Sequence, residues 1–194
     1  MEKMLNNEFI SQLAGEFYFV RHGETDWNKQ KILMGQTDIP LNATGISQAK
    51  SVAQVLASYS LDKVYASPLM RAHATAQILT DSRQILPIEL LNGLKERRFP
   101  SGMLHDDLEH ITSDNLPASA EKWSEFSNRV LTTLEYILAK DHSHPPLIVA
   151  HGGVLVAITL ALKVAMPTMD NCRPLRFVLD DSGNWSAELL PDAD

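Results

Sequence analysis

Two histidines and two arginines stand at or shortly after the ends of three short apolar segments, at residues 17–20, 63–66 and 147–150. These four are Arg21, His22, Arg71 and His151. Arginine stays charged and presents planar donors to phosphate oxygens, and a neutral histidine can attack phosphorus directly. If the four side chains converge, they could therefore bind a dianionic tetrahedral group and transfer it.

The three apolar segments are typical of strands that are buried on both faces. FYFV, KVYA and LIVA are short and rich in aromatic or β-branched residues, as such strands should be. Helical patterns cover residues 45–59, 69–80, 121–140 and 154–164. Strands that alternate with helices indicate a mostly parallel sheet with helices on both faces, and ligands bind beyond the carboxyl ends of its strands. The four side chains are therefore predicted to meet at one edge of the sheet.

Two further patterns complete the predicted fold. IEL at residues 88–90 is a weak strand, and RFVL at 176–179 and SAEL at 186–189, which flank a DDSG turn, predict a hairpin at the sheet edge. We expect a three-layer α/β/α sandwich with a mostly parallel central sheet and an antiparallel edge.

The bulk composition predicts one globular domain. The chain has 194 residues, 44% of them hydrophobic and 21% charged, and we expect one domain over residues 1–194, with an N-terminal arm at 1–15 and a short lid or loop at 99–120. The sequence has no membrane-spanning run and no signal-peptide pattern, and its single cysteine fits a reducing compartment. We therefore expect a cytoplasmic protein without a membrane partner. A net charge of −7 and the lack of a basic run argue against nucleic acid.

Five motifs, in this order, resemble the histidine phosphatase superfamily in its phosphoglycerate mutase-like branch. They are VRHGETDWN, GQTDIPLNATG, SPLMRAHATA, LKERRF and VAHGGVL, and the resemblance runs from Glu16 to about Leu190. It implies a phosphoglycerate mutase-like fold and the hydrolysis of a phosphomonoester through a phosphohistidine, without a metal or other cofactor. The expected partner is a small phosphorylated substrate.

The resemblance also implies a role for each site residue. His22 would be the phosphorylated nucleophile, and Glu96 would protonate the leaving group and then activate water. The phosphoryl oxygens would be held by Arg21, Arg71 and His151, joined by Asn28 and Thr25. Gly23 is expected to let the backbone approach the phosphate closely.

The chain departs from the family pattern at two places. Many relatives carry a glycine and a Trp-Glu-Gly-like run where this chain has Phe-Pro-Ser-Gly-Met at residues 99–103, which leaves open how the backbone beside Glu96 is aimed. Met34 stands where relatives often have a glutamine.

Two other functions remain open at the sequence level. A phosphoglycerate mutase must exclude water from its phosphoenzyme, and the short spacing between Glu96 and the helix near Trp123 favours a hydrolase instead. A catalytically weak phosphate-binding module is the other alternative. The acidic stretch at residues 105–114 would repel a second phosphate if it covered the site, so we expect a monoester with a neutral or weakly charged remainder. Arg97 and Arg98 either bind a second anionic group or are solvated.

Two further candidate sites are weaker. Cys172 lacks the Cys-x5-Arg spacing of a thiol phosphatase. His142 and His144 have no acidic or cysteine partner at metal-ligand spacing, and we expect them in a solvated turn. The sequence indicates neither the natural substrate nor the oligomeric state.

Overall fold

The computed structural model describes residues 15–81, 87–100, 102–104 and 115–191. Six strands lie in these residues: β1 (Glu16–Arg21), β2 (Val64–Ala66), β3 (Ile88–Leu90), β4 (Leu147–Ala150), β5 (Pro174–Leu179) and β6 (Trp185–Leu189). The helices there are α1 (Asp26–Lys29), α2 (Ala43–Leu56), α3 (Met70–Asp81), α4 (Trp123–Leu138) and α5 (Gly152–Leu162). A 3-10 turn at Asn92–Leu94 follows β3.

The strands form one sheet in the order β3-β2-β4-β1-β5-β6. The first four in this order are parallel, and β5 and β6 add an antiparallel edge. In the parallel part, Arg21 lies opposite Ala150, and Ala66 lies opposite Val149. The carboxyl ends of these strands are therefore level, and residues that follow them emerge side by side.

Alternate side chains of each strand pack on opposite faces of the sheet. Phe17 and Phe19 belong to one apolar cluster with α4 and α5, and Tyr18 and Val20 belong to a second cluster with α2 and α3. The ring of Phe17 stacks on Phe177 with 4.6 Å between centroids, and fully burying such a side chain contributes about 1.5–3 kcal/mol. The predicted three-layer sandwich, with its parallel centre and antiparallel edge, is confirmed.

The four predicted helices are present, with shifted ends. The helix predicted at 45–59 begins at Ala43, because the side chain of Asn42 accepts a hydrogen bond from the N–H of Gly45 and caps it. The one-turn helix α1 was not predicted, since four residues are too few to show a period. Its N-cap is Thr25, in a reciprocal capping box with Asn28.

Several sequence expectations concern residues outside the described ranges. They include nearly all of the N-terminal arm and the acidic stretch at 105–114, on which the expected repulsion of a second phosphate depends. Among the helices of the described residues, none is both long enough and apolar enough to span a membrane.

Candidate active site

His22 emerges at the end of β1 with one ring nitrogen already occupied. Its Nδ1 lies 2.7 Å from the carbonyl oxygen of Gly23, and a carbonyl can only accept, so Nδ1 carries the proton. Nε2 then holds a lone pair, toward which Nε of Arg71 donates at 3.3 Å. Burial, together with the charges of Arg71 and Arg21, holds the pKa of His22 well below its ordinary value. The imidazole is therefore neutral at physiological pH, as a nucleophile must be.

Gly23 is required for a different contact from the one expected. A Cβ atom at this position would lie 2.5 Å from the carbonyl oxygen of Gly45, at the start of α2. The N–H of Gly23 donates to the hydroxyl of Thr75 on α3 at 3.0 Å. Gly23 thus lets α2 approach the loop after β1, and this packing fixes the carbonyl group that orients His22.

Arg71 is completely buried in the first turn of α3. Besides His22, its guanidinium donates to the carbonyl oxygens of Gly35 at 2.8 Å and Thr37 at 2.9 Å. Burial lowers the pKa of Arg71 to about 10, although Glu96 and Asp38 act in the opposite direction. The group remains a cation at neutral pH, and two carbonyl contacts hold it beside His22.

His151 follows β4 and lies next to His22, with 5.2 Å between the ring centroids. Its Nε2 is 2.8 Å from the hydroxyl oxygen of Ser67, which follows the neighbouring strand β2. When that hydroxyl donates to Nε2, Nδ1 carries the ring proton. Nδ1 is buried and has no hydrogen-bond partner in the described structure, so it is free to donate to a ligand.

Arg21 supplies a second unpaired donor. Its Nη1 donates to the carbonyl oxygen of Met169, while its Nε is buried without a partner in the described ranges. Burial lowers the pKa of Arg21, and the nearby Glu96 and Asp170 carboxylates partly oppose this. Buried donors are rarely left unpaired. An oxyanion between Arg21 and His151 would satisfy both.

The carboxylate of Glu96 reaches the N-terminus of α5. Oε1 accepts from the N–H of Arg97 at 2.7 Å, and Oε2 accepts from the N–H of Gly153 at 3.0 Å. Gly153 lies two residues after His151, and Glu96 interacts electrostatically with both Arg21 and Arg71. Despite the departure at Phe99 and Pro100, Glu96 therefore lies beside the histidines.

Thr25 and Asn28 sit in the short helix next to His22. The hydroxyl of Thr25 accepts from the N–H of Asn28 and lies within hydrogen-bond distance of Asn28 Oδ1 and the sulfur of Met34. Asn171 links the pair to His22, because its amide donates to the carbonyl of His22 at 2.8 Å and to Asn28 Oδ1 at 3.4 Å. The Thr25 hydroxyl is thus engaged in the cap, whereas the amide nitrogen of Asn28 is the donor that remains for a ligand.

Sequence reasoning missed several residues that support the site, among them Ser67, Asn171 and Arg129. Ser67 could have been found, because it directly follows a predicted strand in the same way as His22 and His151. Nothing in the sequence singles out Asn171 or Arg129, whose contacts join segments far apart in the chain.

The remaining candidates take no part in this site. His142 and His144 lie between α4 and β4, where His144 is exposed, as expected, whereas only 5% of the His142 side chain is exposed. Its Nδ1 lies 2.9 Å from Asp62 Oδ2, and its Nε2 lies 3.0 Å from the carbonyl oxygen of Ile137. Burial raises the pKa of the Cys172 thiol to about 12, so it is no nucleophile at neutral pH. The described residues contain no group of three or more potential metal ligands among His, Cys, Asp and Glu.

The two arginines after Glu96 differ in surroundings. The guanidinium of Arg97 lies over the rings of Phe99 and Trp123, at 4.7 and 5.7 Å, and its Nε donates to the carbonyl of Glu121. The exposed Arg98 donates to the carbonyl of Ser119 at 3.0 Å. Arg97 is therefore held in place by two aromatic rings, and Arg98 is the solvated one.

Comparison with known proteins places the chain in a family. The family model of the histidine phosphatase superfamily (branch 1) matches residues 17–184. The uncharacterized phosphatase PhoE of Bacillus subtilis (strain 168) is 35% identical over 156 residues, which cover 79% of this chain and 80% of that protein. The probable phosphoglycerate mutase GpmB of Enterobacter sp. (strain 638) is 33% identical over 199 residues, which cover 91% and 93%.

A solved structure extends the similarity to three dimensions. YhfR from Bacillus stearothermophilus superimposes with a TM-score of 0.79 at 25% identity, covering 93% of this chain and 98% of that one. The phosphoglycerate mutase-like fold inferred from the motifs is confirmed by this match. A chain with these matches, and with two histidines and two arginines at adjoining strand ends, belongs to the histidine phosphatase superfamily, branch 1.

Proposed function

We propose that the protein hydrolyses a phosphomonoester of a small metabolite through a phosphohistidine at Nε2 of His22. One observation carries the proposal: the Gly23 carbonyl fixes the ring so that the Nε2 lone pair points toward the Arg71 guanidinium. A dianionic phosphoryl group would bind at that cation, which would bring phosphorus close to the lone pair.

The reaction has two halves that share these residues. In the first, the Nε2 lone pair forms a bond to phosphorus while the bond from phosphorus to the ester oxygen breaks, and Glu96 gives that oxygen its proton. In the second, Glu96 takes a proton from water, the water oxygen attacks phosphorus, and the electrons of the P–N bond return to Nε2. Arg71, Arg21 and His151 would stabilise the equatorial oxygens in both halves.

Asn28 and Thr25 have unequal parts in this proposal. The amide nitrogen of Asn28 would donate to a phosphoryl oxygen. Thr25 would act through Asn28, because its backbone N–H donates to Asn28 Oδ1 at 3.1 Å and so orients the amide.

The test begins with turnover of p-nitrophenyl phosphate, measured with and without a chelator. We expect turnover that the chelator leaves unchanged, loss of turnover in His22→Ala, and an acid-labile phosphoprotein after rapid quenching of the wild type with substrate. Full activity of His22→Ala would falsify the phosphohistidine. Transfer between the hydroxyls of phosphoglycerate, without release of phosphate, would identify a mutase instead.

Substrate class and location are further parts of the proposal. We propose that the substrate is a monoester with a neutral or weakly charged remainder. We also propose a cytoplasmic location for the protein, which the lone and buried Cys172 supports. A panel of phosphorylated metabolites tests the first part, and much faster hydrolysis of fructose bisphosphates than of simple monoesters would contradict it.

A further inference from the structure

Arg129 on α4 uses all of its donors on the protein. An arginine side chain has five N–H groups, and the guanidinium of Arg129 makes five hydrogen bonds of 2.7–2.9 Å. Nε and one Nη2 bond reach the two carboxylate oxygens of Glu121, and the other three bonds reach the backbone carbonyls of Gly93, Lys95 and Glu96. No N–H of Arg129 remains for a substrate, so its hydrogen bonds act on the site only through these partners.

Glu121 holds Arg129 at a fixed point. The pair is bidentate, and Glu121 is 7% exposed. Burial of the Glu121 carboxyl acts to raise its pKa. The hydrogen bonds from Arg129 and from the backbone N–H of Arg98, together with the positive charges of the two arginines, outweigh this effect and lower the pKa. The ring of Phe126 lies 4.8 Å from the centre of the guanidinium. A bidentate, partly buried ion pair of this kind restricts the side chain far more than a single exposed contact.

The three carbonyls belong to the segment that carries Glu96. The strand β3 ends at Leu90, at the edge of the sheet, and its last link to β2 is the bond from the N–H of Leu91 to the carbonyl of Ala66. The described residues 92–96 that follow belong to no strand. Arg129 supplies the missing contacts from the neighbouring helix, and Gln36 adds a second donor to the Glu96 carbonyl at 3.0 Å. Gly93 permits close packing here, because a Cβ atom would lie 1.8 Å from the hydroxyl oxygen of Thr133 on α4.

We propose that Arg129, with Glu121 as its counter-ion, is a positioning residue that fixes the general acid Glu96 for transfer of its proton. The inference rests on the function proposed above for Glu96. The proposal predicts that loss of Arg129 affects only the step that needs a proton. The phosphate contacts should be spared, since Arg21, His22 and His151 lie at the ends of β1 and β4, whereas Glu96 follows β3.

The leaving group of the substrate separates these two effects. The value of kcat/KM reports the first half of the reaction, and p-nitrophenolate departs without help from an acid, whereas an alkoxide does not. For Arg129→Gln and for Glu96→Gln, we expect kcat/KM to fall about 10²-fold on alkyl phosphates and to change by no more than about threefold on p-nitrophenyl phosphate. Inhibition by inorganic phosphate should be unchanged in Arg129→Gln.

Arg98→Gln is the matched control. Arg98 also contacts Glu121, but only its backbone N–H does so, while its side chain donates to the Ser119 carbonyl. This variant should therefore behave as wild type on both esters. If Arg129→Gln does not fold, as judged by circular dichroism, Arg129→Lys decides. It keeps the charge with three donors, and we expect the same ester-dependent loss at smaller size.

Each outcome separates the two proposals. An equal loss on both esters in the folded Arg129 variant would overturn the positioning role while leaving the phosphohistidine intact. Activity in His22→Ala would overturn the proposed function itself. If the loss in Glu96→Gln did not depend on the ester, Glu96 would not be the general acid, and the positioning role of Arg129 would be refuted with it.

Discussion

Replacing Gly153 with alanine should displace Glu96, the proposed general acid, without disturbing the fold. A Cβ atom at this position would lie 2.2 Å from Oε1 and 3.1 Å from the carboxyl carbon of Glu96, with Phe126 behind it at 3.3 Å. Real Cβ atoms essentially never approach another atom closer than 3.0 Å. The carboxylate must therefore retreat by roughly 0.8 Å merely to reach that limit, and the hydrogen bond to the Gly153 N–H cannot keep its geometry.

The size of the effect follows from this displacement. A misplacement of about 1 Å can cost on the order of 10²-fold in rate, and we expect a loss of this size in kcat/KM for alkyl phosphates. Stability should change little, because alanine is favoured over glycine by roughly 0.5–1 kcal/mol inside a helix, which partly offsets the strain. Gly153→Ala should thus lower the activity on alkyl esters while the free energy of unfolding stays nearly unchanged.

The assay is a double-mutant cycle with Glu96→Gln, measured as kcat/KM on an alkyl phosphate. If Gly153→Ala acts through Glu96, the double variant should be no slower than Glu96→Gln alone. A further loss in the double variant, of the same size as in Gly153→Ala, would show that the two residues act independently. That result would refute the placement of Glu96 against α5.

Three further outcomes are expected. First, burial and the neighbouring arginines lower the pKa values of both His22 and His151 in the folded chain. Below about pH 6.5 the unfolded chain therefore binds more protons than the folded chain. The free energy of unfolding should fall on acidification by up to about 1.4 kcal/mol per pH unit for each histidine. Denaturant titrations across this range measure the slope, and His151→Gln should reduce it. Second, Ser67→Ala leaves Nε2 of His151 unpaired and should lower the free energy of unfolding by about 1–3 kcal/mol. Turnover should fall equally on all esters. A loss that depends on the ester would contradict the assignment of His151 to the phosphoryl group. Third, His142→Ala removes contacts to Asp62 and to the end of α4, so denaturation should show a loss of about 1–3 kcal/mol with kcat/KM unchanged; altered kinetics would show that this histidine affects the site.

Much of the phosphate-binding half could be predicted because it depends on local sequence. A buried strand is recognisable from four residues, and a parallel sheet brings the residues that follow its strands to one edge. The level ends of β1, β2 and β4 bring His22, Ser67 and His151 to the same edge, and the N–H groups of His22 and Ser67 donate to the carbonyls of Ala150 and Val149 on β4. Arg71 follows from the same rule, because α3 begins shortly after β2.

The surroundings of Glu96 could not be predicted in this way. Its carboxylate bonds to Gly153, 57 residues away, and its carbonyl bonds to Arg129, 33 residues away. Such contacts depend on how α4 and α5 pack together, which no local period encodes. The same reason explains the error at His142, whose partner Asp62 is 80 residues distant.

These two halves of the site differ in what holds them, and this difference has a consequence for substrate choice. The proposed phosphoryl contacts come from residues at or shortly after the ends of central strands, buried between two apolar clusters, where a change in position would disturb the sheet. The proposed general acid, Glu96, lies on an irregular segment beyond the edge strand, held by side chains such as Arg129 and Gln36. Substitutions of the side chains that hold that segment can therefore alter which alcohol leaves while the affinity for phosphate stays the same. The preference among esters should accordingly respond to the loss of Arg129 or Gln36, which bond the Glu96 carbonyl, more than to changes in the central strands.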